Sequence, residues 1–191
     1  MYLIFEGVDT SGKSTQVELL HKAYPDAIVT KEPGGTKLGV KLREMILHEG
    51  VQNHKSELFL FLADRAEHYH EVIKPNQEKL IISDRGFISG IAYALANHPD
   101  YDLDFLLKLN RFALDDTLPD LVILLQTNET LIKQRMGEKS EDMIEKRGID
   151  YLLRVQENMV DILKKLNIKY EIYDAAEPIE SIHTKIKGLL V

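Results

Sequence analysis

The chain has 191 residues, 44 % of them hydrophobic, enough for a sizeable core in one globular unit. Its formal net charge of -7 argues against a general binder of nucleic acid or anionic membrane, because either needs a net basic surface, so any anion site has to be local. It has no cysteine, which excludes disulfides, thiolate metal sites and thiol nucleophiles.

Short apolar runs alternate with longer stretches of helical period, the pattern of an α/β fold with a mainly parallel sheet. Strands are expected at Tyr2–Phe5, Ala27–Thr30, Leu80–Ser83, Leu121–Leu125 and Tyr170–Tyr173. Helices are expected at about Lys13–Ala23, Leu38–His48, Ser56–Ile73, Ile88–Ala96, Leu103–Ala113, Glu129–Met136, Ile149–Leu166 and Ile179–Leu190. Pro75, Pro99 and Pro119 fall where connections belong. The polar stretch Met136–Gly148 has little apolar periodicity and reads as a mobile segment between two helices. No basic n-region precedes the first strand and the longest apolar runs are too short to span a bilayer, so a soluble cytoplasmic domain is expected.

The first connection carries the clearest chemistry. Gly7, Gly12, Lys13 and Ser14 satisfy G-x-x-x-x-G-K-[ST], after a strand and at the opening of a helix. In that context the backbone N–H groups of Gly7 to Thr15 (Val8, Asp9, Thr10 and Ser11 included) converge on phosphate oxygens, and the helix N-terminus adds partial positive charge. Lys13 can reach the β/γ-phosphates of ATP or GTP, and the Ser14 hydroxyl can ligate Mg²⁺. Asp9 is the anomaly, a carboxylate in a loop built to attract anions; an Asx-type turn is its simplest explanation. Farther on, the strand in "KLIISDRG" ends in Asp84, where an acid can organise Mg²⁺ at the carboxyl edge of the sheet, and Arg85 follows on the same rim. Capping of the next helix is the plain alternative for Asp84.

Several stretches then coincide in order and spacing: "FEGVDTSGKST", "KEPGGTKLGVKLRE", "LFLFLADR", "SDRGFISGIAY" and "YDA". With these the chain resembles bacterial thymidylate kinases, members of the P-loop nucleoside-monophosphate kinases, over nearly its whole length. The resemblance implies a single three-layer P-loop domain spanning 1–191, a parallel sheet in the order 2-3-1-4-5 with helices on both faces, and a lid at about 136–148. It implies transfer of the γ-phosphoryl group of ATP to dTMP with Mg²⁺, giving dTDP for deoxynucleotide synthesis, and a homodimer; the charge balance and short apolar runs add the expectation of no nucleic-acid and no membrane partner.

Roles follow from the same resemblance. Asp9 would face the 3′-hydroxyl of the acceptor's sugar; Phe61 would stack on thymine, Arg65 would hydrogen-bond a ring carbonyl, and Tyr93 would lie against the deoxyribose. Arg43 would hold the acceptor phosphate, Arg85 would lie near both phosphates, and Glu32 and Pro33 of "EPGGT" would help shape the acceptor site. "DAAE" (Asp174 to Glu177) would lie near adenine. Without the resemblance, Phe61 reads as core, Tyr93 as core or surface, Arg43 as a solvated charge, and Arg65 as a snorkelling or ion-paired residue in the stripe Leu58, Phe61, Arg65, His68, Val72.

One departure concerns the transfer itself. Many relatives carry D-R-x-E in the lid, where this chain has Asp142, Met143, Ile144 and Glu145, and Met143 cannot donate to a phosphate. The P-loop position that can carry an arginine is Thr10. Arg135, Lys139, Lys146 and Arg147 remain as cationic substitutes, with Arg135 at the lid's entrance first among them. A kinase of another nucleotide or of a nucleoside, and a module that binds ATP without transferring phosphate, stay open as alternatives; no N-K-x-D guanine reader speaks for a GTPase.

Overall fold

The computed structural model describes residues 1–136 and 147–190. Five strands, β1 (Tyr2–Glu6), β2 (Ile28–Lys31), β3 (Ile81–Asp84), β4 (Leu121–Gln126) and β5 (Tyr170–Asp174), form one parallel sheet in the order β2-β3-β1-β4-β5. This is the expected order. The central strand β1 is buried throughout, and its residues alternate between two cores as a pleated strand requires. Tyr2 and Ile4 face one core and Leu3 and Phe5 the other.

Eight α-helices are described: α1 (Lys13–Ala23), α2 (Lys37–Glu44), α3 (His54–His68), α4 (Phe87–Asn97), α5 (Leu103–Ala113), α6 (Glu129–Met136), α7 (Ile149–Lys165) and α8 (Ile179–Gly188). Val17 and Leu20 of α1 with Ile182 and Ile186 of α8 cover the Leu3/Phe5 face. Apolar side chains of α3, α4, α5 and α7 build the larger core on the other face.

Two helices differ in character from what is expected, while the others match to within two residues at each end. The one expected at Leu38–His48 is α-helical only to Glu44 and then widens into a π turn at Met45–Glu49, ended by Gly50 at φ 81°. The one expected at Ser56–Ile73 likewise widens at Tyr69–Ile73, and it begins two residues earlier. Asn53 sets that start, its side chain accepting hydrogen bonds from the Lys55 and Ser56 amides at 3.0 and 3.1 Å. Periodicity cannot separate 3.6 from wider turns over five residues. The lid expected at about 136–148 lies largely outside the described residues, as do Lys139, Met143 and Lys146.

Parallel pairing puts the strand ends that matter in register. Phe5 lies opposite Asp84, and Asp84 opposite Lys31, so the loops after β1, β2 and β3 open at one edge of the sheet.

Candidate active site

The loop Gly7–Gly12 leaves β1 and turns directly into α1. Gly7 has φ 142°, and a Cβ there would lie 2.7 Å from both the Leu125 carbonyl and the Ser11 hydroxyl, so no other residue fits without displacing backbone. Gly12 caps α1 in the left-handed region at φ 96°. The first α1 residue, Lys13, is buried and curls its Nζ onto the Val8 carbonyl at 2.9 Å. Burial and the charge of Arg85 lower its pKa to about 8, against the opposing pull of Asp9, Asp84 and Glu6.

Ser14 and Asp84 meet across this edge, the hydroxyl donating to Oδ2 at 2.7 Å. A cavity of about 690 Å³ runs along the loop. It is lined by five cations (Lys13, Lys31, Arg43, Arg85, Arg135) and four carboxylates (Asp9, Glu32, Asp84, Glu177). A chain of net charge -7 thus carries a cationic excess here.

Two of those four carboxylates are already engaged by guanidinium groups. Asp9 pairs with Nη2 of Arg85 at 2.7 Å. Burial pushes the Asp9 pKa up, but Arg85 and Lys13 outweigh it and bring it down to about 2. No Asx turn is formed by its side chain among the described hydrogen bonds; the carboxylate is held as a guanidinium partner and lines both the large cavity and the smaller pocket beside it. Arg85 itself has φ 72°, a left-handed backbone that costs a side-chain-bearing residue about 1–2 kcal/mol. Its Nη1 donates to the Gly7 carbonyl at 2.7 Å and to the Ser89 hydroxyl at 3.2 Å.

The smaller pocket joins Asp9, Glu32, Pro33, Arg43, Phe61, Arg65, Arg85 and Tyr93, which are all the residues expected around the acceptor. Arg43 donates from Nη1 to the Pro33 carbonyl at 3.0 Å instead of extending into solvent. Phe61 and Tyr93 are buried walls, and the Arg85 guanidinium lies 5.8 Å from the Tyr93 ring centroid. The enclosed volume is about 40 Å³, room for a few waters.

Arg65 is an ion-paired residue, and a deeply buried one at 2 % exposure. Nε and Nη2 reach Glu32 Oε2 at 2.9 and 2.8 Å, Nη1 reaches Asn110 Oδ1 at 2.5 Å, and Nη2 also reaches the Gly86 carbonyl at 3.1 Å. The other Glu32 oxygen lies 2.8 Å from Nδ1 of His68, whose Nε2 meets the Thr30 hydroxyl at 2.6 Å. Burial pushes the Glu32 pKa up, and Arg65 with His68 reverses the shift to a net lowering. Asp64, next to Arg65, accepts from the Gly34 amide at 2.9 Å, so α3 grips the Glu32–Gly35 turn, whose Glu32–Pro33 peptide is cis.

Arg135 on α6 donates from Nη1 to the Thr10 carbonyl at 3.0 Å and from Nη2 to the Ala175 carbonyl at 2.8 Å, closing one wall of the large cavity. Ala175 and Glu177 of "DAAE" line that same wall. Arg147 is engaged elsewhere, with Glu57 at 2.7 Å and with Asn97 and Tyr151 at 2.9 Å, and it lines neither cavity.

Four participants escape the sequence reading. Glu6, Ser89 and Asn110 are buried polar residues on otherwise apolar segments. Gly90 leaves room for Arg65: a Cβ there would lie 3.1 Å from both its terminal nitrogens, and the guanidinium would have to give way by a few tenths of an ångström. Small residues in the middle of the apolar helix "FISGIAYALAN" are the signal that something packs closely against it.

A family model described as thymidylate kinase matches residues 5–186. The chain is 54 % identical to the thymidylate kinase of Sulfurovum sp. (strain NBC37-1) over 186 residues, 97 % of each chain. It is 51 % identical to that of Campylobacter curvus (strain 525.92) over 194 aligned positions, covering 100 % of this chain and 99 % of the relative. Its structure is similar to the crystal structure of thymidylate kinase from Ehrlichia chaffeensis, with a TM-score of 0.79 at 26 % identity, over 100 % of this chain and 98 % of that one.

Proposed function

This chain belongs to the thymidylate kinase family, and from that premise we propose how its own residues carry the reaction. It phosphorylates dTMP to dTDP with ATP as the donor. An oxygen of the dTMP phosphate attacks the γ-phosphorus as the bond to the β–γ bridging oxygen breaks, leaving ADP. Such transfer needs alignment and cancellation of developing charge more than covalent help.

Gly7 to Thr15 hold the donor's phosphates through main-chain amides, with Lys13 swinging from the Val8 carbonyl onto the β/γ oxygens. Arg85 stands where the two substrates meet: it borders both cavities, as Asp9, Glu32 and Arg43 do, and its guanidinium is held on the phosphate loop by the Gly7 carbonyl and Asp9. That placement is the single observation that carries the reading. Arg43, which borders both cavities as well, holds the acceptor phosphate as a planar fork. Phe61 stacks on thymine, Arg65 offers a remaining Nη1 hydrogen to a ring carbonyl, Tyr93 lies against the sugar, and Glu32 and Pro33 form the floor of this pocket. Asp9 accepts from the 3′-hydroxyl with the oxygen that Arg85 does not use. Arg135, at the donor wall, supplies the cation that Met143 cannot.

The residues fit Mg²⁺: Ser14 and Asp84 offer hard oxygens side by side at the cavity edge and would hold the ion between them and the donor's phosphates. When bound, the ion neutralises charge on the donor's phosphates. A homodimer is supported by the family and by Phe59 on α3 with Phe105 and Phe112 on α5, exposed on two helices that pack together. Sedimentation should give twice the 21.9 kDa chain mass, and a monomer at assay concentration removes that assignment. No described helix is long and apolar enough to cross a membrane, and ATP as donor supports a cytoplasmic setting.

A coupled assay of ADP release with dTMP, dUMP, dCMP, thymidine and no acceptor tests the whole reading. Release should be fastest with dTMP and should fall to background with thymidine, which leaves Arg43 without a phosphate. Equal release with thymidine, or release independent of any acceptor, overturns it.

A further inference from the structure

Glu6 ends β1 immediately before the phosphate loop and is fully buried, yet no step of the transfer uses it. Its Oε1 accepts from the amides of Gly86 at 3.0 Å and Ser89 at 3.1 Å. These are first-turn amides of α4, whose own cap residue, Gly86, has no side chain to satisfy them. The Ser89 hydroxyl donates to the other oxygen, Oε2. With its proton committed there, Ser89 Oγ presents lone pairs to Nη1 of Arg85 at 3.2 Å.

We propose that Glu6 and Ser89 are positioning residues for Arg85, forming a one-directional relay in which the guanidinium donates to a hydroxyl that donates to a buried carboxylate. The inference rests on the reading of Arg85 as the group between the two phosphates. Its physical case lies in where the other anchors sit. The Gly7 carbonyl and the Asp9 carboxylate both belong to the loop that grips the donor, and Asp9 is shared with the acceptor's sugar. Among the described side-chain contacts of Arg85, the hydroxyl of Ser89 is the hydrogen-bonding anchor fixed to a helix outside that loop. Nη1 spends both hydrogens on Gly7 and Ser89, and Nη2 one on Asp9, which leaves Nε–H and the second Nη2 hydrogen for a substrate oxygen. Displacing Ser89 would let the guanidinium rotate about its remaining bonds. Burial raises the Glu6 pKa to about 7 against the stabilising pull of Ser89, Arg85 and Lys13, consistent with a carboxylate that needs all its donors.

Ser89→Ala removes the bridge while leaving both backbone amides on Glu6. Glu6→Gln keeps an acceptor for those amides but offers Ser89 an N–H, so hydroxyl and amide polarity no longer match the guanidinium. For each single variant the expected result is a fall of about 10- to 100-fold in kcat for dTMP. ATP affinity should be unchanged, Ser89→Ala should melt within a few degrees of the parent, and the double variant should lose no more than the worse single one. Turnover within twofold of the parent for Ser89→Ala overturns the proposal, as do losses that multiply in the double variant. A large fall in melting temperature for Glu6→Gln with kcat intact would make Glu6 a helix cap only and overturns it as well. If Glu6→Gln does not fold, Ser89→Ala decides alone. Arg85→Ala separates the premise from the inference: an inactive Arg85→Ala beside a normal Ser89→Ala sinks the relay alone, whereas an active Arg85→Ala removes the role of Arg85 and the relay with it.

Discussion

Replacing Glu32 with alanine strands two buried groups at once. Arg65, at 2 % exposure, loses the carboxylate that meets its Nε and Nη2 at 2.9 and 2.8 Å, and His68, at 0 %, loses the partner of Nδ1. Asn110 and the Gly86 carbonyl still hold the guanidinium but carry no charge. Removing one member of a buried pair costs about 3–5 kcal/mol, chiefly through the uncompensated charge that remains. At about 2–4 °C per kcal/mol for a chain of this size, the melting temperature should fall by roughly 6–20 °C. Scanning calorimetry of the parent and Glu32→Ala at one pH gives the number. The dTMP KM should rise about tenfold, the worth of roughly 1.5 kcal/mol for one misdirected charge-assisted hydrogen bond. A melting temperature lowered by less than about 2 °C would refute the reasoning, since Arg65 would then be finding water at no cost.

Asp9→Ala should impair dTMP turnover at least about tenfold, from the loss of a hydrogen bond to a charged group, with far less effect on ATP binding; equal losses in both would leave Asp9 a structural residue of the loop. Arg135→Ala should lower turnover at least about 10²-fold, and near-normal turnover removes Arg135 from charge cancellation. Asp64 is buried, and burial with the nearby Glu32 charge raises its pKa from 3.8 to about 6. A carboxyl whose folded value is raised destabilises the fold once ionised, so the penalty is full above about pH 6 and gone below about pH 4. Asp64→Asn, which keeps an acceptor for the Gly34 amide, should therefore melt higher than the parent at pH 8, by up to about 3 kcal/mol, and match it near pH 4. A pH-independent difference between the two in calorimetry would contradict this.

The parts of this site that could be read from sequence are those encoded locally. The phosphate loop was legible because glycine spacing, strand and helix lie within about twenty consecutive residues. Asp84 and Arg85 were legible as a strand end. Pairing order was not: alternation and periodicity yield strands, and the order β2-β3-β1-β4-β5 came from the resemblance. The bonding of Arg65 was illegible for the same reason, since its partners Glu32 and Asn110 lie 33 and 45 residues away and are chosen by topology. Glu6 lies one residue beyond the strand expected at Tyr2–Phe5, and the donors that make its burial tolerable sit 80 and 83 residues on. Asp9 raised a question that only tertiary structure answers, because the charge opposing it arrives from β3's far end.

Titration calorimetry of dTMP into the protein, alone and saturated with a non-hydrolysable ATP analogue, tests most directly whether one cleft seats two anionic nucleotides side by side. Saturable binding of one dTMP per chain should appear in both titrations. Absence of binding, or displacement of dTMP by the analogue, would contradict the account.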